Sequence, residues 1–302
     1  MNPAGFLFGP NATINVGGMV SFTSADYLRL ADGARFNAIP NAHADALLSI
    51  APVVAFGFLG SNPGAITVQG SQLSVAEGTG ISLVGGNITL QNGTLDNGLV
   101  QAALLSAPSG QINLVSVGKP LHPHVAGEVV VASSGQGGGF NPTGFATLGA
   151  VTLSGSGELL APIGRVDTSG IAGSGRAAGS ISIRGGQFVM DDVSLTARPA
   201  GPNGTTGNIE VTANQVALSN HSTIDTSSGP TGSPGNITFN VNTFSATGFS
   251  VISASTSSSP RSGAVTIQGL QGSGSSAQAV SLTNSTVATD NSSNGGVNPH
   301  PG

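Results

Sequence analysis

Residues 179–197 read GSISIRGGQFVMDDVSLTA, and this stretch decides the fold because the chain repeats its pattern. From Gly207 it gives GNIEVTANQVALSNHSTIDTSS, from Gly235 GNITFNVNTFSATGFSVISAS, and from Gly263 GAVTIQG. The opening glycines 179, 207, 235 and 263 stand 28 residues apart. Each is followed by apolar residues two and four positions on: Ile181/Ile183, Ile209/Val211, Ile237/Phe239 and Val265/Ile267. A second apolar pair follows at Phe188/Met190, Val216/Leu218 and Phe244/Ala246, and a third apolar position at Leu195, Ile224 and Ile252. Alternation within a pair is the period of a strand with one buried face.

Three short strands per repeat cannot bury that face alone, whereas stacking equivalent strands of successive repeats buries it continuously. The expected fold is therefore all-β, a right-handed parallel β-helix (a solenoid) of roughly 28 residues per coil in the C-terminal half. Columns of Ile, Val, Leu and Phe fill its interior, and Ser, Thr and Asn columns bond along its outside. Stacking also puts Asp167, Thr196, Asp225, Ser253 and Ala288 in one outward column. The segment VSLTNSTVATD from Val280 repeats the pattern from Val216, but only after extra residues around Leu270–Gln278, expected to form an external loop. The last residues, NSSNGGVNPHPG after Asp290, are expected to fray.

The signature recurs earlier at Gly64-AITV, Gly86-NITL, Gly110-QINL and Gly149-AVTL, with uneven gaps that point to insertions, chiefly Lys119 to Gly144. Dividing the length by the repeat gives roughly 11 coils and a rod of roughly 50 Å. Gly18, Gly86 and Gly186 are expected at coil corners with positive φ. The apolar run Ala46–Gly60 is interrupted by Pro52 and is shorter than the roughly 20 residues of a transmembrane helix, so it reads as buried structure.

Composition agrees and removes other classes. Of 302 residues, 47 are Gly and 17 Pro, which penalises long helices. There is no Cys, so no disulfide framework, thiolate zinc site or iron–sulfur cluster. Eight basic residues and a net charge of −5 argue against nucleic-acid binding. Yet 38% of residues are apolar, against disorder. No cationic segment followed by an apolar one stands at the N-terminus, so no signal peptide is visible.

Sites of chemistry are sparse. Asp167 and Asp225 would lie two coils apart, about 10 Å, too far for an acid/base pair or a shared cation. Asp191 and Asp192 are neighbours and should point apart. His122-Pro-His124 has no third partner at ligand spacing, so no metal, cofactor or catalytic residue is assigned. The glycine run 135–139 lacks the strand–loop–helix setting of a phosphate loop and reads as a flexible loop.

The first 120 residues resemble the two-partner secretion domain of filamentous-haemagglutinin-like exoproteins. The resemblance rests on Asn2-Pro3-Ala4-Gly5-Phe6-Leu7-Phe8-Gly9-Pro10-Asn11-Ala12, then Ile14-Asn15-Val16-Gly17-Gly18, where the family has an Asn-Val-Gly-Gly strand. Further matches start at Phe36 (FNA), Ala55 (AFGFLG), Val84 (VGGNITL) and Gly110 (GQINLVSVG). The third turn residue is Ala4, where the family carries Asn, and the family's signal peptide and earlier Asn-Pro motif would precede Met1. The resemblance implies residues 1–145 as a partial secretion (haemagglutination-activity-like) domain, and residues 146–302 as a repetitive shaft continuous with it. It implies a partner, an outer-membrane β-barrel transporter with periplasmic recognition modules, and a place outside the cell or on its surface after export through the periplasm. The Asn2, Pro3, Gly5 and Gly9 turn is either recognised by that transporter or caps the first coil, roles that are compatible. Adhesion to an unknown surface receptor or glycan is the expected activity, with no enzyme and no membrane span. A carbohydrate-active β-helix enzyme and a non-functional remnant of an adhesin gene are the alternatives.

Overall fold

The computed structural model describes residues 1–14, 16–40, 49–132, 139–155, 164–199, 207–229, 232–257 and 262–291. Its described residues are all strand, turn and irregular chain, without a helix. Three parallel ladders run through the molecule, consistent with a β-helix. The first holds Val20–Thr23, Gly80–Gly85, Gln111–Ser116, then the leading halves of Ser180–Asp191, Ile209–Ser219 and Ile237–Ala246, and finally Val265–Gln268. The second holds Phe6–Phe8, Ile66–Gln69, Ile88–Gln91, Ala150–Ser154, the trailing halves of the same three long strands, and Ala279–Leu282. The third runs Gln72–Ser74, Leu104–Ser106, Gly164–Asp167, Val193–Thr196, Thr223–Asp225, Val251–Ser253 and Thr286–Ala288. From Val20–Thr23 onward the chain visits first, second and third ladder in that order, and we call one such passage a rung.

The paired apolar positions of the repeats all face inward. Ile209 pairs with Ile181 on one side and Ile237 on the other, and Val216 with Phe188 and Phe244. These residues, with Leu195, Ile224 and Ile252 of the third ladder, form one continuous core. Each fully buried Ile, Leu or Phe contributes roughly 1.5–3 kcal/mol. The first two strands of a repeat are fused into single long strands because the chain passes from the first ladder to the second without interrupting its strand pairing.

The repeat glycines are required by crowding. A Cβ on Gly179 would lie 1.8 Å from Gly110 O, on Gly207 1.7 Å from Gly179 O, and on Gly263 2.1 Å from Gly235 O. Successive rungs therefore meet backbone to backbone at this column. A second crowded column turns the chain from the first ladder to the second. There a Cβ on Gly86 would lie 2.2 Å from Pro63 O, and on Gly186 2.5 Å from Leu148 O. Neither Gly86, Gly186 nor Gly18 has positive φ, which corrects the expectation for these three: close approach explains Gly86 and Gly186, and the site of a Cβ on Gly18 is open.

Two further corrections concern the first half. Gly64, Gly86 and Gly149 lead into the second ladder, whereas Gly110 leads into the first, so the gaps between them are not coil lengths. Among the described residues the third ladder has seven strands, where eleven coils were expected, and two long segments leave the rungs. Tyr27–Leu30, Arg35–Asn37 and Val53–Phe58 from one, and Gly127–Val131 and Phe140–Thr143 from the other, form an antiparallel lateral sheet. Phe56, Phe58, Val129 and Phe140 of this sheet bury the outward side chains Val84 and Val115 of the first ladder. The Lys119–Gly144 insertion is thus half of a second small core. Of the Ala46–Gly60 run, Ala55, Phe56 and Phe58 are buried, but Ile50 and Leu59 are exposed. Residues 135–138 of the Gly-rich run and the tail from residue 292 lie outside the described residues. Leu270–Gln278 does bridge Val265–Gln268 to Ala279–Leu282 as an external turn, and both strands pair with the same long strand.

Candidate functional site

The Asn-Pro turn is built by its own first residue. Proline restricts the residue before it to extended backbone and presets the second turn position. Gly5 N–H then donates to Asn2 O at 2.9 Å, closing the turn. The Asn2 side chain accepts from Ala4 N–H at 3.2 Å and donates through Nδ2 to Gly5 O at 2.9 Å. Both ends of one amide thus hold the turn, so closure does not need the Asn that Ala4 replaces.

The turn is seated on the rung below. Asn2 N–H donates to Thr23 O at 2.9 Å and Phe6 N–H to Ala65 O at 2.9 Å, which extends both ladders by one step. Gly5 has φ +95°, and its Cβ would sit 2.1 Å from Ala65 O, so only glycine fits. Gly64 beneath is equally confined, with its Cβ site 2.4 Å from Pro3 O. Gly9 is different: a Cβ there meets nothing within 4 Å, and its carbonyl accepts from Ser71 Oγ at 2.6 Å. Asn2, Pro3 and Gly5 therefore form one compact corner, and Gly9 is the anchor of the strand that follows. Behind the turn the rings of Phe6, Phe8 and Phe22 pack edge to face at 5.6 and 4.8 Å and close the end of the core. Leu7 and Met19 stay 70% and 60% exposed beside it. Val16–Gly18 is irregular chain, and the strand expected there is Val20–Thr23 instead.

A second polar cluster was not foreseen. Tyr27 OH donates to Glu128 Oε1 at 2.9 Å, and Arg29 grips the same carboxylate through Nε and Nη2 at 2.8–3.1 Å. The Arg35 guanidinium lies 4.0 Å from the centre of the Tyr27 ring. Burial, together with the bond to Glu128, pushes the Tyr27 phenol up to about 12. Burial pushes the Glu128 carboxyl up, but the bonds from Arg29 and Tyr27 outweigh it and hold it below its usual value. The tyrosine ring reaches Glu128 by lying over Gly57, where a Cβ would be 2.0 Å from the ring. The cluster stitches together insertions 101 residues apart, for which no local sequence signal exists.

The outward column of the third ladder has the register expected, Asp167–Thr196–Asp225–Ser253–Ala288. Its carboxylates are occupied by the fold. Asp167 accepts from Ser169 N–H and Thr196 Oγ1 at 2.9 and 2.8 Å, and Asp225 bonds Arg198, Ser227 N–H and the Ser227 hydroxyl. Asp191 accepts from Ser219 Oγ and Asn220 Nδ2 at 3.0 and 2.6 Å. His122 and His124 are exposed on a turn, and no group of three potential ligands for a metal occurs among the described residues. Among the described residues no helix is long and apolar enough to cross a membrane.

The family whose model matches the chain is the TPS secretion domain, over residues 1–159. No curated protein and no solved structure matches it. The match spans the Asn-Pro turn, the lateral sheet and the first rungs that carry them, more than half of the 302 residues. The chain belongs to the TPS secretion domain family, the two-partner secretion exoproteins.

Proposed function

We propose that the protein is an adhesive exoprotein, exported by an outer-membrane two-partner transporter and displayed on or released from the cell surface. Residues 1–145 serve export and residues 146–302 form the shaft. The rungs wind as a right-handed parallel β-helix of about 28 residues per coil in the second half. The observation that carries the reading is the seated turn of Asn2, Pro3 and Gly5, which sits at the open end of two ladders inside the matched region. The periplasmic modules of the transporter recognise this corner, with Leu7 and Met19 as its apolar margin. Binding to a receptor or glycan then falls to the exposed columns of the shaft. Catalysis is not part of this reading, because the shaft carboxylates that share a column are bonded to side chains of the neighbouring rungs.

The test is export. The chain is given a cleavable export signal and co-expressed with a two-partner transporter. We expect it in the medium, with Asn2→Ala held back in the periplasm while the isolated variant keeps its strand content by circular dichroism. Periplasmic retention of the unsubstituted chain beside a transporter that exports its own substrate overturns the secretion role. Secreted chain that fails to coat other cells overturns the adhesive one.

A further inference from the structure

One corner of the shaft carries rings that the fold does not use. Between the second and third ladders, His221 N–H donates to Gly248 O and Phe249 N–H to Asn284 O, both at 2.7 Å. The bonds place His221, Phe249 and Ser285 at one position of three successive rungs. His221 and Phe249 both have φ +62°, the left-handed region. Their rings are parallel within 16° with centroids 5.7 Å apart, and Phe249 remains 65% exposed.

A phenylalanine is doubly misplaced there. A bulky side chain in left-handed backbone is strained, and the preceding position of the corner, also left-handed, takes Asn220, Gly248 and Asn284, residues that tolerate it. An apolar ring in water also forgoes its hydrophobic gain. Strain and exposure on the same residue are costs that a functional site explains.

We propose that His221 and Phe249 form a stacking platform for a neutral pyranose ring of a surface polysaccharide. The next rung carries only the small Ser285 at this position, and Phe249 stays largely exposed. An aromatic face is electron-rich, and the C–H groups on one side of a pyranose are weakly positive, so the two stack. Asn220 precedes His221 in the chain and its Nδ2 donates to the Asp191 carboxylate at 2.6 Å, while the Asn284 backbone carbonyl accepts from Phe249 N–H. These are hydrogen-bonding partners for sugar hydroxyls. None of them is a cation, so the platform suits a neutral polymer and not a sulfated or uronic one. This rests on the adhesive reading above and names the ligand class and residues for it.

Affinity electrophoresis of the whole chain in native gels containing hydroxyethyl cellulose, galactomannan or mannan tests the platform, with hyaluronan as the charged comparison. We expect retardation in at least one neutral gel and none in hyaluronan. Phe249→Asn keeps a residue suited to the backbone, so it should abolish the retardation while Tm stays the same or rises. His221→Asn should weaken retardation by removing the supporting ring. Migration unaffected by all three neutral polymers overturns the proposal, as does retardation by hyaluronan alone or retardation that survives Phe249→Asn. A fall in Tm for Phe249→Asn also overturns it, since the ring would then be structural. Export into the medium does not depend on these rings, so a chain that is secreted but not retarded sinks the platform and leaves the secretion role standing.

Discussion

Gly235 stands so close to Gly207 that an added Cβ would lie 1.8 Å from the Gly207 carbonyl oxygen. The contact is backbone on backbone, so no side chain can move to relieve it. Gly235→Ala should therefore push two rungs apart and cost about 1–3 kcal/mol or more. Gly9→Ala, where the Cβ meets nothing within 4 Å, should stay within about 0.5 kcal/mol of the parent. Urea midpoints of the two variants check this; equal midpoints would show that the rungs are looser than the structure has them.

Tyr27 and Glu128 predict how the lateral sheet responds to pH. The Glu128 carboxyl is held below its usual value, so its contribution is present above the ordinary carboxylate range and is lost as pH falls through the lowered folded value. The Tyr27 phenol is raised to about 12, so its contribution is full below about pH 10 and is lost as pH rises toward 12. The sheet should loosen at both extremes while the rungs persist. Glu128→Gln should remove the acid dependence and leave the two insertions less firmly joined. Amide protection at Ala55–Phe58, taken relative to the intrinsic exchange rate at each pH, reads this, and protection that ignores both Glu128→Gln and acid would refute it.

The same contrast between regular rungs and lateral insertions explains what could be read from the sequence. Offsets within the repeats place Asp167, Thr196, Asp225, Ser253 and Ala288 in one column, and their register is the one found. This works because each rung there has nearly the same length, so spacing alone carries phase. In the first half the signature of Gly followed by alternating apolar residues is ambiguous. Gly110 and Gly86 each precede an inward pair and each lack room for a Cβ, yet they open different ladders. Only even spacing separates the two cases, and the insertions remove it. For the candidate site, Asn2, Pro3 and Gly5 were legible as a turn because proline and glycine have local rules. The grip of Tyr27 and Arg29 on Glu128 was not, because it depends on two insertions meeting in space.

Thr226 makes a buried bond that ties the third ladder to the next rung. Its hydroxyl donates to Gly235 O at 2.8 Å, and its residue is fully buried. Thr168 does the same for Gly179 at 3.0 Å. Thr226→Val keeps the shape but removes the donor and leaves the carbonyl short of a partner, which should cost about 1–3 kcal/mol. Thr226→Ser should recover most of it. A thermal denaturation series of the three forms checks the order, and an unchanged Tm for Thr226→Val would show that the carbonyl finds another donor.

Asn236 links its neighbours on both sides. Its backbone N–H donates to Asn208 Oδ1 at 2.9 Å, and its own Oδ1 accepts from Ala264 N–H at 2.9 Å. The bonds form a ladder of side-chain amides along the outside of the repeats, so a polar column substitutes for charge in joining rungs. Asn236→Ala leaves the Ala264 amide without its acceptor and should cost about 0.5–1.5 kcal/mol. Asn236→Asp keeps an acceptor oxygen and should cost less. The local readout is amide exchange at Ala264, which should quicken in Asn236→Ala while exchange at Ile209, whose N–H donates to the retained Asn236 backbone carbonyl at 3.0 Å, stays slow. Equal acceleration at both positions would mean that the rungs open together and that the amide column adds nothing of its own.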